Sequence, residues 1–261
     1  YNWRVNGTSL AVLNMPMTSA NFSSDSQTTF DFSGYNNHGT LGSTVVGDAN
    51  EPAFNASCLF NGCYQFDGVN DLINISDSVS LRPLNLTLEA WIRPDANMPA
   101  TVRIISKGKN SNRDYNFGRQ PTNRIIFFYY DASSVLHIWQ ATGLWSSLLP
   151  ANRWSHIVVT YDSGVASSLR MYVNGTNISG SWTTGTGNSP LSFTPDPVRI
   201  GASMFDNGLV EFFNGSINGV KIYNRTLTSQ QIWQNYLNGI GGYNTTASSE
   251  TIHFDNWSVQ V

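Results

Sequence analysis

Apolar and polar residues alternate over short stretches along most of the chain, which is the pattern of half-buried β-strands. Residues 86–93 give the clearest case, because Leu86, Leu88, Ala90 and Ile92 fall on one face of an extended segment. Clusters of Gly, Asn, Asp and Ser separate these stretches and mark turns. The pattern predicts strands over residues 64–67, 72–75, 86–93, 124–130, 135–140, 156–161, 169–173, 176–178, 198–201 and 219–223.

Two turns indicate which strands pair as hairpins. Asn174-Gly175 lies between residues 169–173 and 176–178, and this dipeptide is the strongest short signal for a two-residue hairpin turn. Residues 131–134 connect two apolar stretches in a similar way. We therefore expect antiparallel pairing at both places.

One segment has the period of a helix. Thr228 and Gln231 form a capping box at its start, and Gly239 fits a C-terminal stop. The spacing predicts that Ile232, Tyr236 and Trp233 pack against the rest of the protein. Strands at this spacing with a single short helix near the C-terminus predict an all-β, two-sheet antiparallel jelly-roll sandwich.

The composition narrows the class of protein. The chain has 261 residues, of which only 12% are charged and 40% are hydrophobic, with a net charge of -3. This balance argues against nucleic acid, whose binding needs clustered cations. No apolar run reaches the ~18 residues of a membrane span. Since the chain lacks a signal peptide and does not begin with Met, we interpret it as a processed or excised product.

Asparagine acceptor triplets for N-linked glycans are the most frequent motif. With 29 Asn and 52 Ser plus Thr in 261 residues, random placement gives roughly six Asn-x-Ser/Thr triplets. Eleven occur, which favours a glycosylated, extracellular or cell-surface protein over a mere abundance of these residues. The acceptors are Asn6, Asn21, Asn55, Asn74, Asn85, Asn174, Asn177, Asn214, Asn224, Asn244 and Asn256.

Cys58 and Cys63 are the only cysteines, and they bracket a four-residue turn with an Asn-Gly pair. That spacing favours a small disulfide loop over two free thiols, as suits an oxidising compartment. Zinc is disfavoured, because the four histidines lie far away in the sequence and have no ligand spacing.

Six motifs in order resemble the laminin G-like jelly rolls of the concanavalin A-like lectin/glucanase superfamily. They lie at residues 31–40, 64–71, 86–92, 153–161, 171–175 and 213–227, the last followed by the helix. The resemblance covers about residues 12–239 and implies a domain at residues 10–245.

The two ends are similar instead to strands of an immunoglobulin-like repeat of surface proteins. Residues 1–9 and 246–261 would then form a small accessory element into which the main domain is inserted. Two strands alone are unstable, so they must pair with each other, dock on the main domain or pair with another chain.

Catalysis is not expected. Glucanases of this superfamily carry a Glu-x-Asp-x-Glu pattern on one strand, and the chain has none. Glu89 and Glu211 each stand without an acid two or four residues away. No Gly-x-Ser-x-Gly elbow is present either. The sequence therefore predicts a protein that is not an enzyme.

The resemblance implies a structural calcium ion as a possible cofactor. The matching positions are Asp31 with Asn36 or Asn37, and Asn218 where the family has an acid. Oxygen ligands of this kind suit Ca²⁺. The alternative is that Asp31 only closes a turn through hydrogen bonds to the backbone.

Three tryptophans in polar, loop-rich stretches are candidates for stacking on sugars: Trp139, Trp145 and Trp182. The alternative is that they pack beneath loops. Trp91, Trp154 and Trp233 lie in strand or helix patterns, and we expect them in the core.

Neither Lys nor Pro, the residues that commonly protect exposed strand edges, occurs in residues 1–7 or 255–261, so these strands are open to pairing with a second copy. Head-to-tail strand addition gives a filament, whereas the ends of a tandem repeat would pair with neighbouring repeats. We predict a non-enzymatic, N-glycosylated extracellular structural or adhesive protein, and polymerisation through these strands is one expectation. The alternative is a carbohydrate-binding module with calcium.

Overall fold

The computed structural model describes residues 2–5, 8–18, 27–42, 50–58, 62–241 and 257–260. In chain order its strands are β1 (Asn2–Val5), β2 (Thr8–Ser9), β3 (Leu13–Met15), β4 (Thr28–Thr29), β5 (Gly39–Leu41), β6 (Ala53–Asn55), β7 (Cys63–Asp67), β8 (Ile73–Ile75), β9 (Asn85–Pro94), β10 (Val102–Lys109), β11 (Asn112–Gln120), β12 (Arg124–Tyr130), β13 (Leu136–Leu144), β14 (Ser155–Asp162), β15 (Arg170–Val173), β16 (Thr176–Ile178), β17 (Gly180–Thr184), β18 (Val198–Ile200), β19 (Ser203–Phe205), β20 (Gly208–Val210), β21 (Asn214–Tyr223) and β22 (Trp257–Gln260). The helices are α1 (Trp145–Leu148) and α2 (Ser229–Gly241).

Two antiparallel sheets form the predicted all-β sandwich. The larger sheet has the order β17-β13-β12-β11-β10-β18-β8-β5-β4, with β19 beside the end of β10 and β20 beside β19. The smaller sheet has the order β16-β15-β14-β9-β21-β7-β6, with β3 beside the second half of β21. The fold class predicted from the sequence is therefore confirmed.

The core lies between the two sheets and begins with β9. Leu86, Leu88, Ala90 and Ile92 are all fully buried there, which confirms the alternation seen in the sequence. Burying a leucine contributes about 1.5–3 kcal/mol relative to leaving it exposed. The opposite face of β9 is also buried, because α2 lies over it.

Both predicted hairpins form. Asn174 and Gly175 have φ of 51° and 75° and join β15 to β16, with Val173 opposite Thr176. Positive φ at both central residues is what a type I′ turn requires. Residues 131–134 join β12 to β13, where the Asp131 carboxylate accepts hydrogen bonds from the backbone N–H groups of Ser133 and Val135.

Helix α2 begins with the predicted capping box. The Gln231 N–H donates to Thr228 Oγ1 at 3.2 Å, and the Thr228 N–H donates to Gln231 Oε1 at 2.7 Å. Ile232 is fully buried as expected. The expectation that Trp233 is buried is wrong: its side chain is 43% exposed and lies against Gly175 on the outside of the sandwich.

The two chain ends pair with each other. Strand β1 lies between β2 and β22, and its antiparallel register with β22 runs from Asn2 opposite Gln260 to Val5 opposite Trp257. This is one of the three arrangements the sequence allowed. The immunoglobulin-like interpretation and the boundaries at residues 10 and 245 stay predictions.

Candidate functional site

The glycan acceptors that the structure describes are all accessible to solvent. Asn85, Asn177 and Asn224 are exposed, and Asn55, Asn74, Asn174 and Asn214 are partly exposed. By contrast, four asparagines outside acceptor triplets are buried, namely Asn14, Asn37, Asn116 and Asn218. The acceptors Asn6, Asn21, Asn244 and Asn256 lie outside the described residues.

Two of these acceptors lie on sheet edges. Asn55 belongs to β6 and Asn177 to β16, which are the two end strands of the smaller sheet's order. Unpaired edges promote association with other strands, and many proteins protect them with lysine. This chain has three lysines in all, so glycans at these positions are an alternative form of protection.

Cys58 and Cys63 form a disulfide, with their Cα atoms 5.6 Å apart. The pairing favoured from the sequence is therefore present, and it joins the residues after β6 to the start of β7.

The residues predicted for calcium have other partners. Both carboxylate oxygens of Asp31 accept hydrogen bonds, from the N–H groups of Asn14, Ser33 and Asn37 and from the Ser33 hydroxyl. The side-chain amide of Asn37 donates to Val12 O and Ser80 Oγ. The side-chain amide of Asn218 donates instead to Gly62 O.

This donor set does not fit calcium well, because the Asp31 oxygens are already engaged in closing a turn. Within the part of the chain that the structure describes, no three Asp, Glu, His or Cys residues are grouped to hold a metal ion. Calcium binding stays a prediction.

The loop tryptophans are not exposed platforms. Trp139 and Trp145 are only 6% and 3% exposed, because both pack into the core between the sheets. Trp182 is half-buried, and its indole N–H donates to Ala166 O at 3.1 Å. The backbone at Gly187 covers its ring so closely that an added Cβ would lie 2.1 Å from Cε2. The structure thus corrects the expected exposure, in favour of packing beneath loops.

Glu89 is buried on the outer face of the smaller sheet, beneath α2. Its Oε1 lies 3.2 Å from Lys221 Nζ and 3.3 Å from His156 Nε2. Its Oε2 accepts hydrogen bonds from Asn235 Nδ2 at 2.7 Å and from the Tyr223 hydroxyl at 3.4 Å. Both oxygens of this carboxylate are therefore satisfied by strands and helix together.

These contacts keep Glu89 ionised. Burial acts to raise the pKa of Glu89, but the charge of Lys221 and the contacts with His156 and Asn235 outweigh it and lower the pKa to about 2. Burial disfavours the charge on Lys221, yet Glu89 and Tyr223 raise the pKa of that lysine above its ordinary value. A carboxylate held in this way is a structural anion and not a proton donor at neutral pH.

A second buried carboxylate group lies at one end of the core. Lys107 is fully buried, and its Nζ contacts Asp77 Oδ1 at 2.7 Å and Asp114 Oδ2 at 3.3 Å. Arg82 also pairs with Asp77. A glycosidase needs two carboxylates that face the substrate, but here a buried lysine lies between the two acids and the Asp114 side chain is fully buried.

The outer face of the larger sheet carries arginines beneath the β19–β20 hairpin. Arg103 Nη2 donates to Glu211 Oε1 at 2.9 Å, and Arg113 Nη1 lies 3.6 Å from Glu211 Oε2. Arg199 is buried nearby on β18. The sequence analysis missed this group, because these residues are far apart in the chain and only the register of β10, β11 and β18 brings them together.

The sequence of the chain is similar to that of a known protein family. The sequence profile of the family described as Laminin_G_3, in the concanavalin A-like lectin/glucanases superfamily, matches residues 67–233. A sequence search of curated proteins gave no match. Among the residues that the structure describes, no helix has the length and apolar character needed to cross a membrane.

Several solved structures share the fold. The binding domain of Paraclostridial Mosquitocidal Protein 1 is 14% identical with a TM-score of 0.63, over 87% of this chain and 51% of that one. The Botulinum Neurotoxin Type G receptor-binding domain is 19% identical with a TM-score of 0.58, over 87% and 50%. The receptor-binding domain of botulinum neurotoxin D is 13% identical with a TM-score of 0.62, over 89% and 53%. The chain spans about half the length of each, and at these identities the likeness concerns the fold alone.

Proposed function

Since the chain belongs to the concanavalin A-like lectin/glucanases superfamily, we propose that it is a non-catalytic, N-glycosylated extracellular protein with a structural or adhesive role. The observation that carries this proposal is the placement of the acceptor asparagines. All of those described are accessible, whereas buried asparagines occur only outside the acceptor triplets. Glycosyl transfer needs an accessible side chain, so this distribution favours use of the triplets.

Two further observations support the extracellular and adhesive parts of the proposal. The Cys58–Cys63 disulfide suits an oxidising compartment. The structures with the same fold are binding and receptor-binding domains by name, which is compatible with a role in adhesion.

The buried carboxylates support a non-catalytic role. Glu89 contacts Lys221 and His156, and Glu211 contacts Arg103 and Arg113. A glycosidase needs one carboxylate that can protonate the leaving group and a second that faces the substrate. Carboxylates neutralised by buried cations serve neither purpose.

We also propose that copies of the protein assemble through their chain ends. The four register pairs between β1 and β22 hold together within one chain. A second copy can offer the same β22 to the first copy's β1, because strand pairing uses mainly backbone groups. Repeated exchange of this kind is head-to-tail and gives a filament.

The central experiment is the intact mass of the protein from its native source, before and after enzymatic or chemical removal of N-glycans. We expect a mass well above the 28.8 kDa polypeptide that falls stepwise on deglycosylation, with modified peptides containing Asn85, Asn177 and Asn224. Peptides containing Asn37 and Asn116 are the matched controls and should stay unmodified. An unmodified native protein would contradict the proposal.

Negative-stain imaging of the same sample tests assembly. We expect filaments that are lost in the variant Val259→Pro, because proline removes a backbone donor from β22 and does not fit a paired strand. Monodisperse particles at all concentrations would refute the assembly part alone. Turnover of a polysaccharide that is abolished in Glu89→Ala or Glu211→Ala would refute the non-catalytic part.

A further inference from the structure

Two arginines beneath the β19–β20 hairpin have too few hydrogen-bond acceptors. The Arg113 guanidinium lies between two aromatic rings, 5.6 Å from the centroid of Phe128 and 5.6 Å from that of Phe205. Arg113 and Arg199 are only 8% and 4% exposed. Both therefore depend on protein partners instead of bulk water.

Those partners are weak. Of the five N–H donors of Arg113, one bonds to Met204 O at 3.3 Å, while Nε is buried without a partner. Arg199 donates to Gly108 O at 3.5 Å and to the thioether sulfur of Met204 at 3.6 Å. Burial lowers the pKa of Arg199, and Asp196, the acid that opposes this effect, pairs with Lys109.

Arg103, a buried arginine of the same sheet, has shorter contacts, although its Nε is also buried without a partner. Arg103 donates to Glu211 Oε1 at 2.9 Å and to the carbonyl oxygens of Val102 and Arg119 at 2.9 and 2.8 Å. Glu211 is thus already engaged and stays 3.6 Å from Arg113. An unsatisfied buried donor costs about 1–3 kcal/mol, and more when it is charged. What distinguishes Arg113 and Arg199 is that their hydrogen bonds are longer, at 3.3 to 3.6 Å, and go to neutral acceptors.

The two guanidinium groups converge on one residue. Arg113 donates to the backbone oxygen of Met204 and Arg199 to its sulfur, so both donors face the same short segment of β19. Cationic donors that meet at weak acceptors are the arrangement expected of an anion site without its anion.

We propose that Arg113 and Arg199 bind the oxyanion of an acidic saccharide, a carboxylate or a sulfate ester, which replaces Met204 as their acceptor. The inference rests on the proposed binding role but not on glycosylation or assembly. Charge-assisted bonds to an oxyanion are about twice as strong as those to neutral acceptors. Entry is beside the hairpin, which meets β10 through a single register pair, Lys109 opposite Met204.

A saccharide is favoured over a bare ion by what surrounds the arginines. Phe205, at the turn of the hairpin, is 50% exposed and stacks on Arg113, so its outer surface can pack against a sugar ring. Asn112 and Asn207 are exposed on either side, where their amides can bond to hydroxyl groups. Asp206 is also exposed there, and its negative charge opposes an anion, so binding depends on the ring and hydroxyl contacts that a saccharide adds.

The test is calorimetric titration of the full chain at low salt with four probes: a hexuronic acid oligosaccharide, a sulfated oligosaccharide, a neutral oligosaccharide of equal length, and inorganic sulfate. We expect one of the acidic oligosaccharides to bind with a Kd between about 10 µM and 1 mM, and the neutral one not to bind. Arg113→Gln and Arg199→Gln should each weaken binding at least about tenfold. Phe205→Ala should weaken the oligosaccharide about fivefold and leave sulfate unaffected.

The matched control is Arg170→Gln, an exposed arginine of β15 in the smaller sheet, which should leave binding unchanged. Equal binding of acidic and neutral probes would overturn the proposal. So would binding of inorganic sulfate alone, or acidic binding that persists in both Arg113→Gln and Arg199→Gln with the wild-type fold. If the protein is unglycosylated and monomeric but binds the acidic probe, the result supports this inference and refutes the proposed N-glycosylation and assembly.

Discussion

The outer faces of the two sheets are covered in different ways. Helix α2 covers the smaller sheet and contributes Asn235 to a buried group in which Glu89 meets Lys221, His156 and Tyr223. The β19–β20 hairpin covers the larger sheet and offers Arg113 and Arg199 a carbonyl oxygen and a sulfur of Met204, while Glu211, which is bound to Arg103, lies 3.6 Å from Arg113. Helix α2 completes a group of short charged contacts, whereas the hairpin leaves two arginines with neutral acceptors and one long ion pair that is shared with Arg103. The first arrangement holds the fold together, and the second is available for a ligand.

Removal of Glu89 should have the largest effect. Glu89→Ala leaves Lys221 and His156 buried without their anion, and breaking a buried pair in this way costs about 3–5 kcal/mol. Denaturant titration measures the loss in unfolding free energy. Glu51→Ala, a half-exposed glutamate that accepts a bond from Gln27, is the control and should cost less than about 1 kcal/mol. Equal effects would mean that the Glu89 group does not stabilise the fold.

The same group should give a pH dependence. The pKa of Glu89 is lowered from 4.5 to about 2 in the folded protein, so its contribution is present above the unfolded pKa and is lost as the pH falls through the folded pKa. We expect a loss of about 3 kcal/mol between roughly pH 4.5 and 2. Denaturation curves across this range measure it. Glu89→Ala should remove that part of the slope, and an unchanged slope would contradict the assignment.

Arg103 is the well-paired arginine beneath the hairpin and should behave like a structural residue. Arg103→Gln removes its ion pair with Glu211 and two bonds to carbonyl oxygens. We expect a loss of about 2–3 kcal/mol in unfolding free energy. Thermal unfolding of this variant, compared with wild type, provides the measurement, and an unaffected midpoint would place Arg103 with the undercompensated arginines instead.

The contact between α2 and the β15–β16 turn should be moderately sensitive. Gly175 has φ of 75°, and an added Cβ would lie 2.5 Å from Trp233 Cε3. Gly175→Ala should therefore cost about 1–2 kcal/mol through strain and displacement of the ring. Gly208→Ala in the β19–β20 hairpin is the control, because an added Cβ there would have no neighbouring atom closer than 3.5 Å. A similar loss of stability in both variants would show that the β19–β20 hairpin packs as closely as α2 does.

The smallest change is expected for Arg113. Because its guanidinium is poorly satisfied, Arg113→Gln should alter the unfolding free energy by no more than about 0.5 kcal/mol or should raise it. Denaturant titration measures this change in unfolding free energy, and Arg103→Gln is the variant with which it is compared. A loss as large as that of Arg103→Gln would mean that Arg113 is a structural residue. The arginines beneath the hairpin would then stabilise the fold, as the Glu89 group beneath α2 does.

The regular strands and the helix could be predicted from local sequence, but β10 and β11, which lie beneath the hairpin, could not. β9, β14 and the β15–β16 hairpin show clean alternation or a specific turn dipeptide, and Thr228 marks the start of α2. β10 and β11 carry buried charges such as Lys107 and Arg113, and β10 has register shifts that change which face its residues occupy. A shift of this kind breaks the two-residue period on which the prediction depends.

The candidate sites also differ in how well they could be predicted from local sequence. An acceptor triplet is a local motif, so the accessible asparagines could be found from the sequence alone. The tryptophans became candidates because polar neighbours suggested loops, with packing as the alternative, and Trp139 on β13 packs in the core. Arg113 and Arg199 meet only through the pairing of β11, β10 and β18, which no local pattern reveals.

The position of Asn74 links modification to recognition. Asn74 on β8 is the direct cross-strand neighbour of Arg199 on β18, and directly opposed side chains lie on the same face about 5 Å apart. A sugar chain attached there would stand at the entrance to the arginine pair and compete with any incoming saccharide. Occupancy of this one acceptor would therefore set how many molecules in a population are open to ligand, and it would let the cell adjust adhesion without altering the polypeptide.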